Sequence, residues 1–249
     1  MTEGYLVSMS YAYIDKNVSE IRRKIDEAKR RAKREDEVLL LAAIKSAEVD
    51  EINYIHNALG INDVGENRVQ QLLSRYDALD REGLNIHFIG KLQSNKVKYI
   101  IDKVTMIHSL DSESLAKEID KQAKKHGIVM DVLVEINSGE EENKSGILPS
   151  EAEAFCESLS KYEGIRLRGF MTMAPKCEKK DEYNKYFSQT YKLVLDIWTK
   201  KLHNIDRPVI SMGMSESFEE AIACGSNVVR VGRGMFLKNN DINTEGHTV

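Results

Sequence analysis

Lys45 ends the run Glu37-Val38-Leu39-Leu40-Leu41-Ala42-Ala43-Ile44-Lys45, which otherwise reads as a buried strand. A lysine at the end of such a strand sits at a barrel mouth or sheet edge, where partial desolvation lowers its pKa and makes the amine a nucleophile. The alternative is a lysine that marks where a strand meets solvent and extends its head into water. Two further segments bear on that choice. Ser211-Met212-Gly213-Met214-Ser215 stands before a helix-like Glu-Ser-Phe-Glu-Glu-Ala-Ile stretch, with Ser215 placed as an N-cap, and Gly232-Arg233-Gly234 follows an apolar run. Glycines with a helix start bring backbone N–H groups close to an anion, so the pair suits a phosphate. A serine before a helix can also be only a cap.

Arg230 lies within Asn-Val-Val-Arg-Val-Gly, where strand alternation puts it on one face with Val228 and Gly232 and leaves Val229 and Val231 on the other. A guanidinium on a buried strand needs a fixed partner. One reading is an internal ion pair with a carboxylate from a neighbouring strand, such as Glu135. The other is a hydrogen bond to a ring nitrogen of a bound cofactor. A nucleophilic lysine, a phosphate cradle and a buried arginine together match an aldehyde, a phosphate and a heteroaromatic ring, the three features of pyridoxal 5'-phosphate (PLP). An imine-forming aldolase for phosphorylated sugars would need the first two and has less use for the third.

These residues require a scaffold that brings strand ends together. Strand patterns fall at 38–44, 61–64, 86–89, 104–107, 129–136, 165–171, 209–211 and 227–231, separated by helical patterns such as 115–119, 152–159, 186–202 and 218–223. A leading helix shows Ile14, Val18, Ile21, Ile25 and Ala28 on one face. Eight strands alternating with helices predict a single (β/α)8 TIM barrel with an extra N-terminal helix, and the 249 residues fit the ~250 typical of that fold. An open doubly wound sheet is the alternative. The expected layout is a helix over 11–35, a barrel over 37–237 and a flexible tail over 238–249. In such a barrel ligands bind at the C-terminal strand ends. Read in order, these are Lys45, Gly65-Glu66-Asn67, Gly90, His108-Ser109, Asn137-Ser138-Gly139, Met171-Thr172-Met173, Ser211 to Ser215 and Gly232 to Gly234.

Composition narrows the partners. A net charge of −4 with no long basic block argues against nucleic acid and anionic membranes. No apolar run approaches a membrane span and no signal peptide is indicated. The three cysteines, Cys156, Cys177 and Cys224, lack metal or disulfide spacing, which fits a reducing cytoplasm; Cys224 reads as a small core residue. His87 and His108 have no Asp, Glu or Cys at ligand spacing, so no metal is expected. Lys91 and Lys96 read as solvated loop lysines, and Glu140-Glu141-Glu142 as a solvated loop.

Several motifs together resemble one family. Leu-Leu-Ala-Ala-Ile-Lys45, Asp63-Val-Gly-Glu-Asn67-Arg-Val-Gln, His87-Phe-Ile-Gly-Lys-Leu-Gln-Ser-Asn-Lys, Lys144-Ser-Gly146, Gly169-Phe-Met-Thr-Met-Ala-Pro175, Ser211-Met-Gly-Met-Ser215 and Val229-Arg-Val-Gly232 are similar, in order and along nearly the whole chain, to the pyridoxal phosphate homeostasis proteins. The resemblance implies a barrel like the N-terminal domain of alanine racemase, with PLP held as a Schiff base on Lys45. It implies that Asn67 lines the ring, that Ser211, Met214, Ser215, Gly232 and Arg233 surround the phosphate, and that Arg230 faces the pyridine nitrogen. Where the family often has Ser-Lys-Thr and a nearby proline, this chain has Ile44-Lys45-Ser46-Ala47. Where the family often has threonine after the glycine, it has Arg233, whose guanidinium either replaces that hydroxyl or points to solvent.

The resemblance further implies a cofactor carrier or regulator rather than an efficient enzyme, acting on PLP-dependent apo-enzymes as possible partners. An arginine at the ring nitrogen keeps that nitrogen unprotonated and weakens the ring as an electron sink. A low-activity amino-acid racemase is the alternative. It needs a second proton carrier, and none of the ten tyrosines stands at an obvious strand end. The racemase's second domain has no room after strand eight, so a monomer is expected.

Overall fold

The computed structural model describes residues 11–200 and 207–238. Residues 239–249 of the tail expected over 238–249, and the helix end expected at 201–202, lie outside the described residues. The elements are α1 (Ala12–Arg31), β1 (Leu39–Ala43), α2 (Val49–Asn57), β2 (Asp63–Glu66), α3 (Val69–Arg75), β3 (Asn85–Phe88), β4 (Met106–Leu110), α4 (Glu113–Lys125), β5 (Met130–Ile136), α5 (Ala152–Ser158), β6 (Ile165–Thr172), α6 (Tyr183–Thr199), β7 (Val209–Met214), α7 (Phe218–Ala223), β8 (Val228–Val231) and α8 (Arg233–Phe236). A short 3-10 helix, Ser94–Tyr99, occupies the helix position between β3 and β4. All strand pairs are parallel, and β8 pairs back onto β1 with Leu39 opposite Val228 and Leu41 opposite Arg230, closing the barrel. The open-sheet alternative is thereby excluded.

Alternation along each strand divides the apolar residues into two layers. Ala42, Val64, Phe88, Ile107, Val229 and Val231 point outward into a large core shared with the helices. Leu41, Ile89 and Val228 form a small separate cluster inside the barrel. Around that cluster the interior is polar, holding His87, His108, Glu135, Ser211 and Arg230, each buried.

The five predicted positions of α1 are the five it buries. Asn17 on this helix donates from Nδ2 to Met235 O and Leu237 O, at 3.1 and 3.0 Å, tying α1 to the segment just after β8.

Four strands run further than their apolar patterns, β2 to Glu66 and β6 to Thr172 among them. β4 continues to Leu110 and β7 to Met214, so His108 and Ser211 lie inside the barrel rather than at its rim. The apolar run stops where the interior becomes polar, whereas the strand hydrogen bonds do not stop there. Cys224 is half-buried at the end of α7, with Sγ 3.5 Å from Asn184 Oδ1, and Cys156 is the fully buried cysteine. Cys224 packs against the edge of the large core, half-buried rather than within it as expected.

Candidate functional site

At the C-terminal mouth of the barrel lies a cavity of 270 Å³ walled by Lys45, Asn67, Met214, Ser215, Arg230, Gly232 and Arg233. Seven of the eight residues singled out in the sequence therefore meet in one place. The eighth, Ser211, is fully buried beneath it. Its hydroxyl accepts from Arg230 Nη1 at 2.8 Å and so is turned to the guanidinium, not to the cavity.

Lys45 stands in the turn after β1 and is exposed. Ile44 ends the buried run, and the lysine that follows it lines the cavity at the mouth. The backbone around it is held from α3. Arg75 Nη1 donates to Ile44 O and Ala47 O, both at 3.1 Å, and Gln71 Nε2 donates to Lys45 O at 2.8 Å. Arg75 is itself fixed by a buried ion pair with Glu66, the last residue of β2. The other Glu66 oxygen accepts from the backbone N–H of Asn67 at 2.7 Å. Glu66 and Arg75 thus place Lys45 and Asn67 together on one wall. Asn67 Oδ1 is buried without a partner among the described residues.

The opposite wall comes from the ends of β7 and β8. The β7–β8 register shifts between Ser211 and Met214, and Gly213 there has φ 91°, a left-handed conformation suited to glycine. The chain then turns through Met214–Ser217, where Ser217 N donates to Met214 O at 2.9 Å. This turn delays α7 to Phe218, with Ser217 and not Ser215 as its N-cap residue. Ser215 is left on the cavity wall. Gly232 brings the end of β8 against β1: a Cβ there would lie 2.5 Å from Ala43 O. Arg233 points outward, exposed, and donates to Glu216 Oε1 at 3.1 Å across the rim. Its side chain is therefore engaged with a surface carboxylate.

Arg230 forms the floor. Nη1 donates to Ser211 O at 2.7 Å as well as to the hydroxyl, and Nη2 donates to Thr172 O at 3.0 Å. Desolvation pulls its pKa down to about 10, opposed by the charge of Glu135. No direct ion pair with Glu135 occurs among the described residues; the partners are backbone and hydroxyl oxygens. Glu135 lines a second cavity of 540 Å³, which adjoins the first and shares Arg230, Met214 and Tyr183 with it. Burial, and then the charge of Asp111, push the Glu135 carboxyl up to about 7.

Sequence reasoning missed Tyr183. It arrives from the start of α6, after the loop that follows β6, and lines both cavities. No strand-end pattern marks it, since it comes from a helix start. Met173 and Glu216 also line the smaller cavity. His87 and His108 are hydrogen-bonded to each other at 2.9 Å inside the barrel. Their inward alternation on β3 and β4 was the signal available for that.

The family model for the N-terminal domain of alanine racemase matches residues 17–240. The chain is 40% identical over 220 residues to the pyridoxal phosphate homeostasis protein of Aquifex aeolicus, covering 88% of this chain and 95% of that one. Among solved structures, an unknown protein from Bifidobacterium adolescentis superposes with a TM-score of 0.83 at 33% identity, covering 91% of this chain and 95% of that one. PipY of Synechococcus elongatus, solved with PLP bound, superposes with a TM-score of 0.77 at 26% identity, covering 90% of this chain and all of that one. A closed parallel barrel, a lysine and an arginine facing one mouth cavity, and relatives matched over nearly their whole length lead to one assignment: this chain belongs to the alanine racemase N-terminal domain family and, within it, to the pyridoxal phosphate homeostasis proteins.

Proposed function

We propose that this chain binds PLP in the 270 Å³ mouth cavity and serves in PLP homeostasis, storing, buffering or delivering the cofactor. The observation that carries this is the meeting in one cavity of a primary amine, a fixed guanidinium and the Met214–Ser217 turn with the Ser215 hydroxyl. The unpartnered Asn67 amide oxygen on the same wall supports the fit. PLP, when bound, supplies an aldehyde that condenses with primary amines. Lys45 Nζ is the primary amine that would hold the cofactor through that aldehyde. Ser215 and the Met214–Ser217 turn would hold the phosphate through hydroxyl and backbone N–H groups, with the N–H of Gly232 and Arg233 opposite. Arg230 would donate to the ring nitrogen. As a cation it disfavours a second proton there, which suits holding the cofactor better than carbanion chemistry.

A carrier role rather than an enzymatic one is supported by the names of the relatives and by this arginine. PLP-dependent apo-enzymes are the proposed recipients, in the cytoplasm, with the carrier as a monomer. One observation favours the racemase reading: Tyr183 brings a second proton carrier into the cavity that holds Lys45. Its test is conversion of L- to D-alanine, with Tyr183→Phe as the control.

The deciding experiment is the visible absorption spectrum of the purified protein before and after borohydride, with Lys45→Ala alongside. A yellow band that borohydride removes, and that Lys45→Ala lacks or shifts, supports the reading. A protein that stays colourless with added PLP overturns it.

A further inference from the structure

Beneath Arg230 runs a chain of hydrogen bonds that cofactor binding does not itself require. Arg230 Nη1 donates to Ser211 Oγ at 2.8 Å. Ser211 Oγ lies 3.3 Å from His108 Nδ1, His108 Nε2 lies 2.9 Å from His87 Nδ1, and His87 Nε2 lies 3.0 Å from Asp63 Oδ1. The five residues come from β8, β7, β4, β3 and β2. Strands β4 and β7 are not neighbours, so the His108–Ser211 link crosses the barrel interior. Arg230, Ser211, His108 and His87 are all buried. Asp63 stands at the start of β2 and lines a different cavity, of 690 Å³, at the strand N-terminal end with Leu39, Val209 and Val228. The chain therefore spans the barrel from the opposite face to the mouth.

Both ends fix its polarity. A guanidinium only donates, so Ser211 Oγ accepts from Arg230 and keeps its own hydrogen for His108 Nδ1. A carboxylate only accepts, so His87 carries a hydrogen on Nε2, and in its neutral form accepts at Nδ1. With His87 in that form, His108 donates from Nε2 and accepts at Nδ1. The demands from the two ends agree on one tautomer, and every hydrogen points from Arg230 toward Asp63. A hydrogen on His108 Nδ1 would face Ser211 Oγ while Arg230 donates to the same atom. Burial, with the charge of Arg230 beside it, holds the His108 pKa well below its ordinary value.

We propose that His108, His87 and Asp63 are positioning residues for Arg230: through Ser211 they fix the guanidinium's orientation toward the cavity. This rests on the reading of that cavity as the PLP site. An Arg230 held only by Ser211 O and Thr172 O could swing about them; the ordered hydroxyl removes that freedom. Nothing in the strand periodicity requires polar residues at these interior positions, where TIM barrels commonly place branched apolar ones.

The test has two arms. Side-chain nitrogen NMR of the cofactor-free protein near neutral pH should find His87 and His108 both as neutral Nε2–H tautomers; a hydrogen on Nδ1 of either overturns the proposed chain. PLP titration of His108→Phe, followed by absorbance, should show affinity about tenfold weaker and a shifted band, with borohydride fixation to Lys45 retained. Ser211→Ala makes the same measurement if His108→Phe does not fold, and Ser211→Thr should restore the band. Unchanged affinity and band in His108→Phe or Ser211→Ala overturn the positioning role. Failure of the unsubstituted protein to take up PLP overturns the cofactor reading and, with it, the proposal.

Discussion

Glu66 and Arg75 form an ion pair from which water is nearly excluded, their side chains 0% and 7% exposed. Arg75 carries the backbone of the Lys45 turn, and Glu66 carries the backbone of Asn67. Removing one partner leaves the other charge buried without compensation, at a cost of about 3–5 kcal/mol. Arg75→Met should lower the urea stability by that order and slow PLP attachment to Lys45, because Ile44 O and Ala47 O lose their donor. Equal stability and an equal attachment rate would contradict the assigned role.

Glu135 predicts a pH dependence of stability. Its carboxyl is raised from 4.5 to about 7, first by burial and then by Asp111, so between those values the folded protein holds a proton that the unfolded chain has lost. The stabilisation is complete below about pH 4.5 and is lost as pH rises through about 7. It amounts to at most ~3 kcal/mol for this group. Glu135→Gln should flatten this part of the curve and be the more stable form at pH 8. Urea denaturation at a series of pH values checks both.

Gly213 occupies a left-handed conformation in the β7 irregularity, and a Cβ there would lie 2.5 Å from Ala221 Cβ and 2.8 Å from Phe218 Cα. Gly213→Ala should cost about 2–4 kcal/mol, from backbone strain together with crowding against α7. PLP affinity should fall with it, since the same bend delivers Met214 and Ser215. A stability within 0.5 kcal/mol of the parent, on the order of an ordinary surface substitution, would refute this.

The two rim residues of the proposed phosphate wall, Ser215 and Arg233, should behave differently. Arg233 is 75% exposed and bonded to an exposed Glu216, a pair of a kind worth about 0–1 kcal/mol. Arg233→Ala should change PLP affinity by less than about threefold. Ser215→Ala removes a hydroxyl from the cavity wall and should weaken binding by about tenfold, the scale of a hydrogen bond to a charged group. Parallel titrations that rank the two in the opposite order would reassign the phosphate contacts to the guanidinium.

The strand pattern, the buried stripe of α1 and the convergence of Lys45, Asn67 and Arg230 were readable because each follows from backbone periodicity and the closure of eight parallel strands. What was not readable depended on side chains meeting across the barrel. His108 and Ser211 were taken for rim residues because β4 and β7 turn polar before they end. Tyr183 enters from a helix start, whose distance from the mouth depends on the path of the preceding loop. The exposure of Lys45 depends on how high the turn after β1 stands, and that height is set by Arg75 and Gln71, well downstream on α3. Arg233 was ambiguous because the choice between an anion and Glu216 is one of side-chain direction.

The seam between β1 and β8 has a kinetic consequence. Lys45 follows the first strand, while Arg230 and Gly232 belong to the last, so the two sides of the cavity are joined only when strands about 190 residues apart pair. Closure of so long a loop is entropically late in folding, and until then the chain holds two half-sites. A ligand gripping both sides acts as a strut across that seam and slows its reopening. Local unfolding should therefore begin at β1–β8 in the free protein and move elsewhere once the cavity is filled.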